Sequence, residues 1–373
     1  MSKTRTPLDP QTLSPAARKA LGPGPAKMMA ARGMAPLPPM DQVAVLYEII
    51  IGADAGLAAA ARTTVTSMPD PLIAGALADA RVDPRVLDLF AELVGDRPSA
   101  FEALVANPSV ADDTIVVLAQ NGGASEIERI AANEQRLLRH PQIIAAMYGN
   151  RSARMSTVDR AIELAVRNNI RVPGLAAWDE IARALQTAPG ADADDDAVFA
   201  AALAATNPDD SVVTVGDADQ VIDEAAAERR LAAADDADVP FDKLSIAGKI
   251  RFASIGNGVA RARAIRSPVK MVAMAAIKAP AVTEFEAANY ASNHSLVEDV
   301  IRYVATRREW TKLYGTKVAL CRNPKTPIPD AMRLMPFLRE KDLVSLTKSK
   351  GIPSAVVAQA RKLLMQRRSS GNK

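Results

Sequence analysis

Short apolar segments that end in asparagine and resume after proline constrain this fold more than any other sequence feature. The segments ALVANPSVADDTIVVLAQN (103–121) and ALCRNPKTPIPDAMRLMPFL (319–338) both read as a helix end, Asn-Pro, a few small or polar residues and a new helix. Proline is tolerated in the first turn of a helix, where its missing N–H costs nothing. An asparagine just after a helix end can bond the free carbonyls or the next corner's backbone. The pattern predicts short helices stacked through tight corners.

Composition supports an all-α fold. Hydrophobic residues make up 49% of the chain but aromatic residues only 4%. Alanine and aliphatic residues suit helices that pack closely through small side chains. From Asp41 onward, apolar segments of about ten to fourteen residues alternate with Pro, Asn or Gly, so the short connections place successive helices antiparallel.

Charge divides the chain into three parts. Lys/Arg and Asp/Glu number 19 and 20 in residues 1–187, 2 and 14 in 188–240, and 25 and 9 in 241–373, giving net charges of −1, −12 and +16. The acidic part has too few large apolar residues to fold by itself, and prolines crowd the first forty residues.

The domain prediction follows from these differences. It has a disordered, basic Pro/Ala-rich arm (1–40), an N-terminal helical-repeat domain (41–187), an acidic flexible linker (188–240), a basic C-terminal helical-repeat domain (241–368) and a tail (369–373). The alternative for the acidic part is a helix that lies on the basic domain.

Over roughly 40–187 and 241–366, the corners resemble those of HEAT-like and leucine-rich-repeat-variant α-helical repeats. The chain is also similar to a group of uncharacterised bacterial HEAT-like proteins, through Arg307-Arg308-Glu309-Trp310 and Asn323-Pro324-Lys325-Thr326-Pro327. The first corner departs from the family pattern, because arginine stands where asparagine is expected. The resemblance implies an α-solenoid, here in two segments, that binds other macromolecules and has no catalytic residue.

Few residues offer catalytic or metal chemistry. One cysteine, Cys321, excludes an intramolecular disulfide and any multi-cysteine metal site. Its apolar neighbours indicate a buried structural residue, and His140 and His294 are interpreted as corner residues. The Gly256-x-Gly258 pair lacks the preceding strand of a dinucleotide fingerprint, so it predicts a helix–helix turn with a solvated basic face. We expect no cofactor and no metal ion.

The basic excess is the strongest functional signal. If the helices stack as a solenoid, twelve cations are predicted to share one partner-binding face: Arg261, Arg263, Arg266, Lys270, Lys278, Arg302, Arg307, Arg308, Lys312, Lys317, Arg322 and Lys325. An acidic protein partner is favoured. A nucleic acid is the alternative, with Tyr303, Trp310 and Tyr314 stacking on bases. The acidic linker is a third occupant, which would mask the face in cis.

The sequence therefore predicts a non-catalytic, cytoplasmic interaction or scaffold protein without membrane insertion. A HEAT-like DNA glycosylase is a distant third reading. It requires Asp299 or Glu309 to act beside Trp310 in a basic groove.

Overall fold

A computed structural model of the chain describes residues 5–187, 191–206, 222, 224–232, 239–349 and 351–370. These residues form α-helices and three 3₁₀ turns, with no strand among them, which confirms the all-α, solenoid-like prediction. The chain divides into two compact units, Met1–Gly174 (unit 1) and Leu175–Lys373 (unit 2). No helix in the described part is long and apolar enough to cross a membrane.

Unit 1 is built from twelve short helices among its described residues. They are α1 (Pro15–Ala20), α2 (Pro25–Ala31), α3 (Pro39–Ile51), α4 (Ala55–Ser67), α5 (Asp70–Leu77), α6 (Pro84–Val94), α7 (Pro98–Ala106), α8 (Asp112–Asn121), α9 (Ala124–Ala131), α10 (Glu134–Arg139), α11 (Gln142–Gly149) and α12 (Met155–Arg167). Each helix packs on its near neighbours in sequence, for example α5 on α7 and α8 on α11. Proline occupies the first turn of six of these helices.

Unit 2 has the same construction. Its described helices are α13 (Trp178–Thr187), α14 (Ala193–Ala204), α15 (Glu224–Ala232), α16 (Ile246–Ile255), α17 (Gly258–Ile265), α18 (Lys270–Lys278), α19 (Glu284–Ser292), α20 (Glu298–Thr306), α21 (Tyr314–Arg322), α22 (Ile328–Leu334), α23 (Glu340–Lys348) and α24 (Ser354–Ser370). The 3₁₀ turns are Phe241–Lys243, Trp310–Lys312 and Met335–Phe337. Fully buried alanines such as Ala273 and Ala287 allow close helix packing.

Buried asparagines bond a corner to an earlier one at several places in the described chain. Asn107, which is 1% exposed, donates from Nδ2 to Leu77 O at 2.7 Å and to Asp79 O at 3.0 Å. Its Oδ1 accepts from Ser109 N at 2.8 Å. One side chain thus satisfies carbonyls at the end of a helix about thirty residues earlier while fixing its own turn.

The same arrangement recurs at two further corners, one in each unit. Nδ2 of Asn150 donates to Ala119 O and Gly122 O, and Nδ2 of Asn323 donates to Ala291 O and Asn293 O. All three asparagines end their helices in extended backbone, with ψ of 122°, 121° and 119°. We call this arrangement the asparagine corner.

The N-terminal arm differs from the prediction of disorder. Pro15 and Pro25 begin α1 and α2, which pack on α3 and α4. Ala17 and Ala31 are fully buried, and Thr64 Oγ1 donates to Ala31 O at 2.6 Å. The prolines therefore begin helices here. Buried alanines supply the apolar contact, although the frequent prolines suggested disorder. Residues 1–4 lie outside the described part.

The acidic segment also differs from a flexible linker where it is described. Helices α14 and α15 pack on unit 2, α14 on α16 and α15 on α17 and α19, as in the alternative of an acidic helix lying on the basic part. The boundary between units falls at 174/175, because α13 packs on α16 and α18. Residues 188–190, 207–221, 223 and 233–238 lie outside the described part, as do 371–373 of the predicted tail.

Replacing the corner asparagine should unfold unit 1 more easily. We expect Asn107→Ala to lower the free energy of unfolding by about 2 kcal/mol, because two carbonyls lose their shared donor and a buried polar group is left unpaired. Urea denaturation checks this: the urea concentration at the midpoint should fall, while the slope of the unfolding free energy against urea stays unchanged. Asn121→Ala is the control, since the exposed Asn121 bonds only Val117 O within its own helix. Equal losses in both variants would contradict a special role of the corner.

Candidate interaction surface

The structure separates the twelve predicted cations into groups with different surroundings, and Arg261 is the one furthest from the predicted role. It is 6% exposed and lies against Glu286, which is 2% exposed, with Nη2–Oε1 at 2.8 Å and Nε–Oε2 at 3.3 Å. Its Nη1 donates to Gly256 O at 3.1 Å. Arg261 is therefore part of a buried ion pair and not of a binding face. Arg261 and Arg263 lie two residues apart on α17, and the sequence alone did not reveal which of the two faces inward.

Three further cations are half-buried and paired with carboxylates of unit 2. Lys278 contacts both oxygens of Glu180 at 2.8 and 2.9 Å. Arg263 contacts Asp242 at 3.2 Å, and Arg266 contacts Glu228 at 3.4 Å. Two of these carboxylates, Glu180 and Glu228, lie outside the predicted basic domain. Counting charges within that domain alone therefore overestimated the number of cations available to a partner.

Four cations serve local structure. Lys270 and Arg302 are exposed but paired with Asp299 and Glu298, at 2.9 and 2.6 Å. Arg322 donates to Ser345 Oγ at 3.1 Å and lies 3.5 Å from Asp342. Lys325 donates from Nζ to Ser295 O and Leu296 O, at 3.2 and 2.6 Å, and so closes the asparagine corner at Asn323.

The remaining cations cluster around the 3₁₀ turn Trp310–Lys312. Arg308 and Lys312 are exposed, and neither side chain contacts a carboxylate in the described part of the chain. Arg307 lies over the Tyr303 ring at 4.6 Å and also bonds its hydroxyl. Lys317 lies 5.7 Å from the ring of Phe337, which is 64% exposed. We call Arg307, Arg308, Lys312 and Lys317, with Tyr303, Trp310 and Phe337, the cation–aromatic surface.

The aromatic rings of this region contact the protein's own groups. Tyr303 and Trp310 meet edge to face with centroids 6.0 Å apart. The Arg339 guanidinium covers the Tyr314 ring at 4.3 Å, and the Tyr314 hydroxyl donates to Asp342. The predicted stacking platform for bases is thus occupied in part by arginine side chains.

Sequence reasoning missed Arg251, the largest fully buried side chain of the described residues. Arg251 is 0% exposed and lies 4.8 Å from the ring of Phe199, a buried residue of α14. The acidic segment thus supplies an aromatic ring to a buried cation. The only feature of the sequence that pointed to this contact was Phe199, the single aromatic residue in the acidic segment.

The other candidate groups have structural surroundings. Cys321 is 1% exposed, and burial raises the pKa of its thiol to about 12. His140 lies 3.2 Å from Asp113. Gly256 ends α16, and a Cβ there would lie 2.4 Å from Phe252 O, so close packing requires this glycine. The predicted helix–helix turn is confirmed, but its basic face is not solvated at Arg261.

The two carboxylates that a glycosylase-type reaction would use have different surroundings. Asp299 is paired with Lys270, and Glu309 is exposed beside the 3₁₀ turn. No group of three or more His, Cys, Asp or Glu residues that could hold a metal ion occurs among the described residues. Comparison of the chain with protein-family models, curated proteins and solved structures finds no significant match.

Arg261 and Arg302 should respond very differently to truncation. We expect Arg261→Ala to cost about 3–5 kcal/mol, because it leaves the buried Glu286 carboxylate without its partner. Arg302→Ala, which removes the same charge from an exposed pair, should cost less than about 1 kcal/mol. Denaturant unfolding measures both. A small loss for Arg261→Ala would mean that this pair does not stabilise unit 2.

Cys321 should be inert in the native protein. With a thiol pKa of about 12, the thiolate is scarce at pH 8, and the sulfur is also shielded from solvent. We expect a chromogenic disulfide reagent to titrate no thiol in the folded chain and one thiol in 6 M guanidinium. Rapid reaction of the folded chain would show that Cys321 is accessible.

Proposed function

We propose that this protein is a non-catalytic interaction module whose unit 2 binds an acidic protein partner. The observation that carries the proposal is the cation–aromatic surface, where Arg308 and Lys312 are exposed and form no ion pair among the described residues, while most of the other predicted cations are paired with carboxylates. Such cations attract a negatively charged partner and speed its association. The neighbouring Trp310 and Phe337 add apolar contact area of the kind that anchors protein interfaces.

The state of the aromatic rings favours a protein over a single-stranded nucleic acid. Base stacking requires an open ring face, but Arg307 covers Tyr303 and Arg339 covers Tyr314. Carboxylates need no open ring face, since they pair with exposed guanidinium and ammonium groups directly. A nucleic-acid partner is the second candidate, because residues 241–373 carry a net charge of +16.

The proposal includes the class and location of the protein. The asparagine corner supports a HEAT-like repeat protein, because it bonds the end of one short helix to a corner about thirty residues earlier. A cytoplasmic location, expected from the sequence, belongs to the same proposal.

Charge reversal at the cation–aromatic surface tests the partner-binding role. We expect Arg308→Glu/Lys312→Glu to weaken binding of a fluorescent 20-residue glutamate-rich peptide at least tenfold in an anisotropy titration at low salt. The matched control is Arg361→Glu/Lys362→Glu on α24, which changes the net charge equally at exposed positions whose side chains have no ion pair in the described structure. Equal weakening by both pairs would mean that only net charge matters, and would contradict a defined surface.

The same titration separates the two partner classes. A 20-nucleotide single strand carries a comparable negative charge and is measured with the same variants. Tighter binding of the DNA than of the peptide, lost on reversal of Arg308 and Lys312, would replace the acidic protein by a nucleic acid.

A further inference from the structure

Asn293 is an asparagine corner with a different acceptor. Like Asn107, Asn150 and Asn323, it ends its helix in extended backbone, with ψ of 119°, and its Oδ1 accepts from a backbone N–H two residues later, that of Ser295. The other three donate from Nδ2 to two backbone carbonyls of an earlier corner. Asn293 donates instead to a side-chain carboxylate, that of Glu228 on α15. An acidic side chain thus takes the place of backbone carbonyls at this corner.

The Glu228 carboxylate is held by a site that unit 2 builds for it. Besides Asn293, Ser295 Oγ lies within 3.3 Å and Arg266 Nη2 within 3.4 Å of its oxygens. Asn293 is itself 0% exposed. If Glu228 left, the buried amide would lose its acceptor, which destabilises the empty site. The site therefore requires a carboxylate or an equivalent acceptor.

Neighbouring contacts define the shape of the occupant. Glu224 lies 2.8 Å from His294 Nδ1, and Ala227 and Leu231 are fully buried. With Glu228, these positions fall at spacings of three and four residues, on one face of a helix. The site thus accepts a helix that presents two carboxylates one turn apart, with a small residue between them and a leucine following.

The occupant is held by contacts that a competitor can reproduce. Helix α15 has nine residues, too few to be stable alone in water. The polar contacts at its two glutamates are partly solvated, with side-chain exposures of 40% for Glu228 and 53% for Glu224. A recess of about 280 Å³ beside Glu224 is also lined by His294 and Arg322. The Nε of Arg322 is buried without an acceptor among the described residues. A longer acidic helix would reach this recess.

We propose that this site, formed by Arg266, Asn293, Ser295 and the adjoining His294, binds an acidic helix of a partner protein, and that α15 is its intramolecular occupant. Binding of the partner displaces α15, so the acidic segment regulates access to unit 2. The site is formed by residues other than those of the cation–aromatic surface, and the inference stands or falls independently of the binding proposed there.

The test uses the full chain and a fluorescent, acetylated and amidated peptide of residues 221–235. An intramolecular occupant competes at about millimolar effective concentration, so the unaltered chain should bind the peptide weakly. Glu228→Lys in the chain places like charge against Arg266 and displaces α15. We expect this variant to bind the wild-type peptide at least tenfold more tightly, and not to bind a peptide that itself carries Glu228→Lys.

Controls separate displacement from nonspecific effects. Glu284→Lys, at an exposed carboxylate of α19 without a contact in the described structure, makes the same charge change and should leave peptide binding weak. Circular dichroism verifies that the variants fold. If Glu228→Lys does not fold, the near-isosteric Glu224→Gln/Glu228→Gln chain replaces it. Its neutral side chains lose the attraction to Arg266, which weakens α15 as a competitor, while a glutamine oxygen can still accept from Asn293 and preserve the folded corner. A folded variant that gains no affinity for the peptide would overturn the proposal.

A second set of variants locates the bound peptide. In the Glu228→Lys chain, Arg266→Glu should abolish peptide binding, while Arg308→Glu/Lys312→Glu should leave it unchanged. The opposite result would place the peptide on the cation–aromatic surface and end this inference, while the proposed function would stand.

Discussion

The bond from a corner asparagine to the carbonyls of the preceding corner is the interaction on which the rest of the structure depends. Short helices have a large share of unpaired end groups, and stacking buries many of them. Asn107 or Asn323 satisfies two such carbonyls and holds its own turn at the same time. Because each bond links residues about thirty positions apart, it ties a corner to an earlier one. Short helices can then stack, although none has a core of its own.

This constraint explains why the fold was predictable and its boundaries were not. Asn-Pro corners and alanine-rich segments indicated stacked helices directly, since the corner chemistry is local. The contribution of the arm and of α15 depends in part on alanines such as Ala17 and Ala227, which are fully buried yet give only a weak apolar signal in the sequence. Acidic composition concealed a helix that packs through Leu231, because charge on the exposed side says nothing about the face that is buried.

The candidate surface was predictable only in part, for a related reason. The sequence shows how many cations unit 2 has, but pairing depends on contacts between distant residues. Lys278 is neutralised by Glu180, 98 residues away, and Arg266 by Glu228, 38 residues away. Arg308 and Lys312 keep their charge available because neither forms an ion pair with a described carboxylate, the adjacent Glu309 included. The positive charge that such a chain can offer to a partner depends on which cations lack a paired carboxylate, and not on the net charge of the chain.

Asn293 connects the two themes. In an asparagine corner the amide normally meets acceptors that belong to the permanent scaffold, so the bond is purely structural. Where the acceptor is a carboxylate on a nine-residue helix, the same amide becomes exchangeable, because any helix with a suitably placed carboxylate satisfies it equally well. A repeat protein can acquire a specific binding site in this way by leaving one corner to be completed by a side chain. Charge then selects the occupant, since Arg266 favours an acidic helix over a neutral one.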